Sequence, residues 1–181
     1  MTYSLTWLLS QPPAETKYLF FWGHTPKQKG VVDKSCFSQW FPAAFEVAGD
    51  TYATAEHWMM AEKARLFGND EVRQRILAAK HPAEAKKLGR EVVGFDPQVW
   101  DKQKYELVTT GNYYKFSQHP ALKEYLLSTG SRVLVEASPV DAIWGTGLAA
   151  DHPDAQLPAQ WPGQNLLGFA LMEVRDQLRR S

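Results

Sequence analysis

Glu56 and Lys63 stand seven residues apart in the run Tyr52-Ala-Thr-Ala-Glu56-His57-Trp58-Met-Met-Ala-Glu62-Lys63. Seven residues miss two full helical turns by only about 20°, so on a helix both lie on one face. At about 1.5 Å rise per residue they are roughly 10 Å apart along the axis. A carboxylate and an amine at that separation can flank one small ligand, although Glu and Lys also share many half-solvated helix faces. A second constellation is Glu136-Ala-Ser-Pro-Val-Asp141-Ala-Ile-Trp144-Gly145-Thr-Gly147. Here a carboxylate, an indole and two glycines fall in a loop after a strand. Glycine lets backbone approach a ligand closely. Asp141 suits orienting a ribose hydroxyl or supporting a developing cation, and Asp and Gly are also ordinary turn formers.

Other chemistries find no support. The five histidines, His24, His57, His81, His119 and His152, form no His-Glu-x-x-His pair, and Cys36 is the single cysteine. A disulfide framework and a Cys-based zinc site are thereby excluded, and no metal or other cofactor is expected. There is no phosphate-binding Gly-x-x-x-x-Gly-Lys-Ser/Thr loop, no Gly-x-Gly-x-x-Gly after a strand and no Gly-x-Ser-x-Gly elbow. A serine or cysteine nucleophile has little behind it.

The chain has 181 residues, 44% hydrophobic and 22% charged, enough to bury a core without staples. Twenty basic and twenty acidic residues leave no net charge. A whole-protein attraction to nucleic acid or anionic membrane is therefore absent, while a local basic cleft stays open. Seven tryptophans serve a core and also suit a site that stacks planar rings. No basic residue precedes the apolar start, which argues against a signal peptide. The longest apolar run, Tyr18–Trp22, is far short of the roughly 18 residues of a membrane span. A cytoplasmic protein is expected. No repeat or linker divides the chain, so residues 1–181 read as a single domain.

The elements that must position these groups follow from pattern and punctuation. The region to about residue 50 reads as loop-rich, with a strand at Tyr18–Trp22 and a hairpin arm at Phe45–Ala48 that ends at Gly49. Thr54 is a predicted N-cap for a helix over Ala55–Phe67, closed by Gly68. Asn69 is predicted to cap the next helix, Asp70 to about Ala79. Pro82 opens another helix, and Asp96-Pro97 starts a long one with Val99, Trp100, Leu107 and Val108 as inner positions. Gly111 or its neighbourhood is expected to interrupt that helix. His119-Pro120 opens a helix through Leu127. Arg132–Ala137 alternates as a strand. Residues 149–164 read as a surface loop, and Asn165–Arg180 as a final amphipathic helix. The expected class is α+β, predominantly helical, with five or six helices and a few short strands.

With these residues in view, the sequence resembles the NADAR family, the YbiA-like N-glycosidases, over about residues 18–178. The resemblance rests on Thr54-Ala-Glu56-His57 with Lys63, Gly89-Arg90, Trp100, Lys115-Phe116, Glu136 and Asp141-x-x-Trp144-Gly145-x-Gly147. It continues through Asn165-Leu-Leu-Gly168 and Leu171-Met172-Glu173-x-Arg175. It implies a compact, mostly helical domain that hydrolyses an N-glycosidic bond at the anomeric carbon of a phosphorylated ribose. Two substrate classes follow from it. One is the ribosylamino-phosphate intermediates of riboflavin synthesis, whose removal limits damage; the other is ADP-ribose on guanine, with nucleic acid entering only as a modified substrate. A non-catalytic ADP-ribose or nucleotide binding module is the alternative of a different class.

The family's acidic and aromatic site residues correspond to Glu56, Asp141 and Trp100, and its helix lysine to Lys63. Glu56 or Asp141 would stabilise the ribosyl cation and take a proton from water. Lys63 would act as a cation or as a Schiff-base amine. Trp100 and Trp144 would stack on the base, and Arg90 or Lys115 would meet the phosphate. Trp22, Gly23, Tyr52 and Gly145 are further pocket candidates, with core packing an equal reading for Trp22 and Tyr52. One departure stands out: where the family often has Ser-Asn-Phe, this chain has Ser38-Gln39-Trp40. The 149–164 loop is also longer than in minimal family members.

Overall fold

In the computed structural model, which describes residues 1–181, seven α-helices and four short strands succeed one another. They are α1 (Leu5–Leu9), β1 (Tyr18–Phe21), β2 (Phe45–Val47), β3 (Asp50–Tyr52), α2 (Ala55–Leu66) and α3 (Asp70–Ala78). Then come α4 (Pro82–Leu88), α5 (Pro97–Gln118), α6 (Pro120–Ser128), β4 (Val133–Glu136) and α7 (Leu166–Arg180). Helix dominates, as the pattern implied. The backbone forms two compact units, one of residues 1–38 with 121–181 and one of residues 39–120.

In the first unit β1 and β4 pair in parallel, Tyr18 opposite Val133 and Phe21 opposite Glu136. Val133, Leu134 and Val135 are all buried, so β4 is covered on both faces as parallel strands usually are. In a parallel strand alternate residues bond to opposite sides. Val133 and Ala137 donate to Lys17 O and Phe21 O on the β1 side. Leu134 and Glu136 face the other edge, where no third strand exists. Asn165 takes its place: its Nδ2 donates to Leu134 O and its Oδ1 accepts from Glu136 N–H, both at 2.9 Å. Asn165 is fully buried in the left-handed region, φ 53°, a conformation Asn tolerates better than most residues. Three residues on, Gly168 lets α7 close onto β4, since a Cβ there would stand 2.0 Å from Leu134 O.

The N-terminus of α7 is satisfied by an unusual route. The N–H groups of Gln164, Asn165, Leu166 and Leu167 donate to the carbonyls of Ala142, Gly145, Ile143 and Trp144 at 3.0–3.3 Å. The unpaired donors of a helix start are thus spent on holding the 141–147 loop. The 149–164 segment is less of a surface loop than its composition suggested. Trp161 and Ala155 are buried, and Trp161 Nε1 donates to Ala155 O. Helix α1, capped by Ser4 Oγ, lies in a stretch read from sequence as loop. A helix of five residues is too short to show a period.

In the second unit α2 is the central element, in contact with α3, α4 and α5. Every residue from Ala55 to Glu62 is buried. Thr54 caps it as expected, Oγ1 accepting from His57 N–H. Three expectations fail here. Asn69 makes no side-chain cap; its amide instead pairs with Val93, donating to Val93 O and accepting from Val93 N–H. Gly111 does not interrupt α5, which runs unbroken to Gln118. A Cβ at Gly111 would come within 2.2 Å of Trp58, so the glycine serves close packing of α2 on α5. Val99, expected inside, is exposed at 39%.

Replacing Asn165 with Ala strands a buried carbonyl and a buried N–H, at a cost of about 2–4 kcal/mol. The thermal midpoint should fall by about 5–15 °C. Asn165→Asp, which turns a carboxylate oxygen toward Leu134 O at a buried position, should fall at least as far, and Ala at exposed Gln164 should leave the midpoint unchanged. An Asn165→Ala protein melting with its parent would show that the β4 edge needs no partner.

Candidate active site

Within residues 39–120 the candidate groups are built around α2. Glu56 sits in the first turn, 6% exposed, and its N–H donates to Gln39 O at 2.9 Å. Gln39, the residue at the departure from the Ser-Asn-Phe pattern, is itself buried. Its Oε1 accepts from Asn112 Nδ2 at 2.8 Å, and Asn112 Nδ2 also donates to Val108 O. Gln39 Nε2 and Asn112 Oδ1 are buried without a protein partner, the donor on the residue whose carbonyl anchors the Glu56 backbone and the acceptor on α5. The sequence reading missed Asn112. A polar residue of weak helix propensity in mid-helix, directly after Gly111, was the available signal.

His57 is fully buried and its role is structural. Nε2 donates to Ala79 O at 3.0 Å, which fixes the tautomer, and Nδ1 accepts from the Thr54 hydroxyl at 2.8 Å. Burial holds its pKa below the ordinary value. Trp58 likewise packs: its Nε1 donates to Leu107 O, and its ring meets Phe45, Tyr52 and Tyr114. Tyr52 belongs to this aromatic cluster, stacked on Phe45 at 5.7 Å, 2% exposed, with its hydroxyl accepting from Arg73.

Lys63 lies two turns beyond Glu56, half-buried. Its Nζ donates to Gly89 O at 2.8 Å and stands 4.4 Å from the centre of the Phe95 ring. Burial, and then the charge of Arg90, lowers its pKa. The Phe95 ring opposes that by favouring the ammonium, though a Phe face at a partly wet site is a weak counterweight. Arg90 is exposed beside Gly89, and Trp100 is half-buried in the first turn of α5, which Asp96 caps. Lys63 and Arg90 are therefore brought together by fold, where sequence put them 27 positions apart.

Within residues 1–38 and 121–181 the remaining candidates gather at one end of the parallel pair. Trp22 and Gly23 follow the last residue of β1, and Asp141, Trp144 and Gly145 lie in the loop after β4. Parallel pairing puts both strand ends on the same side, the side where ligands bind in larger parallel sheets. Trp22 is 59% exposed, a free indole face, and Gly23 adopts φ +85°. Asp141 Oδ1 accepts from the N–H groups of Ile143 and Trp144, both at 2.8 Å. Gly145 is buried where a Cβ would stand 2.9 Å from both Asp141 O and Glu136 O. The loop is thus fixed by its own carboxylate and by α7. No group of three or more His, Cys, Asp or Glu side chains is arranged to hold a metal ion, and no helix is long and apolar enough to cross a membrane.

Comparison with known proteins agrees with this architecture. The NADAR domain matches residues 20–179. The chain is 45% identical to N-glycosidase R617 of Acanthamoeba polyphaga mimivirus, over 89% of this chain and 96% of that one. It is 32% identical to the N-glycosidase YbiA of Escherichia coli, over 81% of each. The NMR structure of that protein superimposes with a TM-score of 0.73, covering 91% of this chain and 86% of the other. A riboflavin biosynthesis protein of Zea mays, PYRR, is 35% identical over 78% of this chain, which spans 23% of the maize protein.

The His57 environment has a consequence for stability. A histidine whose folded pKa is depressed contributes stability above its unfolded pKa, about 6.5, and loses it as pH falls toward the folded value. The melting temperature should therefore decline as pH drops below about 6.5. His57→Gln, which can still donate to Ala79 O, should decline less steeply over that range. Parallel pH profiles for the two proteins would remove His57 as the cause.

Proposed function

Since the chain belongs to the NADAR family of YbiA-like N-glycosidases, we propose that its substrates are the phosphoribosylated intermediates of riboflavin biosynthesis, ribosylamino-pyrimidine phosphates. The observation that carries this choice is the 35% identity to part of a maize riboflavin biosynthesis protein. Relatives named as N-glycosidases favour an enzyme over a binding module. Absence of net charge accords with a small-molecule substrate better than with a nucleic acid.

Hydrolysis of the C–N bond develops positive charge on the ribose, as in other glycosyl transfers. Two acids are assigned to the ribose. Asp141 spends one oxygen on two backbone donors, which suits it to hold a ribose hydroxyl in a fixed position. Glu56, buried at a helix N-terminus, is assigned to stabilising the ribosyl cation and taking the proton of the attacking water. Lys63 has a lowered pKa, so its ammonium gives up a proton more readily than an exposed lysine. That supports either protonation of the departing base or, as the neutral amine, attack on C1′ of the ring-opened imine, which expels the aminopyrimidine and leaves a lysine Schiff base that water hydrolyses to the free sugar. Trp100, Trp144 and Trp22 offer indole faces for the base, with Gly23 allowing close backbone approach, while Gly145, first a pocket candidate, serves the packing of its own loop. Arg90 supplies positive charge for the phosphate. Tyr52 is assigned to holding α2 through Trp58 rather than to touching substrate.

Glu56→Gln should cut release of free base from the ribosylaminouracil phosphate by about 10²- to 10⁴-fold, with the melting temperature little changed. Base release at the parent rate would remove Glu56 from the chemistry. Turnover of ADP-ribosylated guanine with no turnover of the pyrimidine would replace the substrate while keeping the reaction. Borohydride trapping of a substrate adduct, lost in Lys63→Met, should occur only if the lysine acts covalently.

A further inference from the structure

Arg175 on α7 is among the largest fully buried side chains, 2% exposed. Its Nη1 donates to Thr129 Oγ1 at 2.9 Å and to Arg132 O at 2.8 Å, and its Nε has no protein partner. None of the chain's ion pairs includes it. Asp176, the neighbouring acid, is taken by the Tyr3 hydroxyl at 2.5 Å and by Arg179 at 3.3 Å. A guanidinium stays charged, and a buried charge among neutral acceptors is costly unless something compensates it.

The same arginine lines a cavity of about 510 Å³, in the size range of small-molecule sites. Lys17 and Arg179 add two cations to its wall, Trp7, Tyr3 and Met172 add ring and apolar surface, and Glu15 is its one lining carboxylate. The wall draws on two sources. Arg175 and Arg179 belong to the stretch that matches the NADAR domain, residues 20–179, whereas Tyr3, Trp7 and Lys17 precede it. Val133, the first residue of β4, lines the cavity, while the Asp141 loop follows the last. A four-residue strand separates the two by about 10 Å.

We propose that this cavity is a second ligand site, taking a small organic phosphate. The phosphate is held over buried Arg175, with Arg179 and Lys17 at its wall, and the ring-bearing body lies against Trp7 and Tyr3. The site is separate from the glycosidase chemistry and makes the N-terminal helix the cover of a binding cavity.

NMR titration of the full chain tests this, with AMP, adenosine and inorganic phosphate as probes and the Arg175 Nε–Hε resonance as readout. AMP should shift that resonance saturably, adenosine should not, and inorganic phosphate should act more weakly than AMP. Lys17→Gln with Arg179→Gln, both wall positions, should weaken the AMP titration about tenfold while leaving the melting temperature nearly unchanged. Glu56→Gln should titrate as the parent does, whatever its effect on base release, which keeps this site's fate apart from that of the catalytic assignment. The site falls if AMP leaves the Arg175 resonance unmoved, or if the double variant titrates like the parent. Inorganic phosphate saturating at the same concentration as AMP would mean simple anion binding and overturn the organic-phosphate ligand.

Discussion

The first turn of α7 is the constraint on which the residues 1–38 and 121–181 depend. Four consecutive N–H groups, from Gln164 to Leu167, donate to the carbonyls of residues 142–145. The Asn165 side chain meanwhile pairs with the free edge of β4. A helix start ordinarily leaves its first N–H groups to water or a capping side chain. Here they hold a loop in place, and the same asparagine closes a sheet that is only two strands wide. One short motif, Asn165-Leu-Leu-Gly168, therefore solves two problems of unpaired backbone at once. The Asp141 loop gains rigidity without secondary structure of its own, which the hydroxyl-holding role proposed for Asp141 would require.

A different device serves α2. Its residues from Ala55 to Glu62 are buried, and its polar members are individually matched: His57 between Thr54 and Ala79, and Glu62 on Arg65. Glycines at 89 and 111 let neighbouring elements close on Met60 and Trp58. Glu56 and Lys63 are thus carried on a helix whose position is over-determined by packing on several sides. Burial shapes the chemistry of Lys63 directly, since an amine that loses water holds its proton less tightly. The polar pair Gln39–Asn112 ties the segment before α2 to α5, beneath the backbone of Glu56.

The cavity beside Arg175 shows a third arrangement, a charge placed in the interior with only neutral hydrogen-bond acceptors. Its neighbours on α7 are a leucine, a methionine and a valine packed against the strand, so the arginine is embedded in the core-facing part of an amphipathic helix. A purely structural residue at such a position is normally apolar. Tyr3 and Trp7 then close the space from outside, edge to face at 4.7 Å.

Much of the scaffold could be read from local signals. Thr54, Pro82, Asp96-Pro97 and Pro120 mark helix starts because caps and fixed φ angles act within a few residues. The strand at Tyr18 and the hairpin at Gly49 follow from β-branched and aromatic runs ended by glycine. The identity of Glu56, Lys63 and Asp141 as candidates came from residue type, spacing and resemblance, which the chain carries in its order. Tertiary structure alone decided the rest. Gly111 looked like a helix breaker until a tryptophan from α2 was seen to occupy its missing side chain. Asn69 looked like a cap until Val93 offered both its backbone groups. Only the fold could put Arg90 beside Lys63, bring Trp22 and Asp141 to one end of a parallel pair, and set Asn165 against the edge of β4. Each joins residues distant in sequence through close contact, and such contact depends on where packing and backbone hydrogen bonding lead the chain.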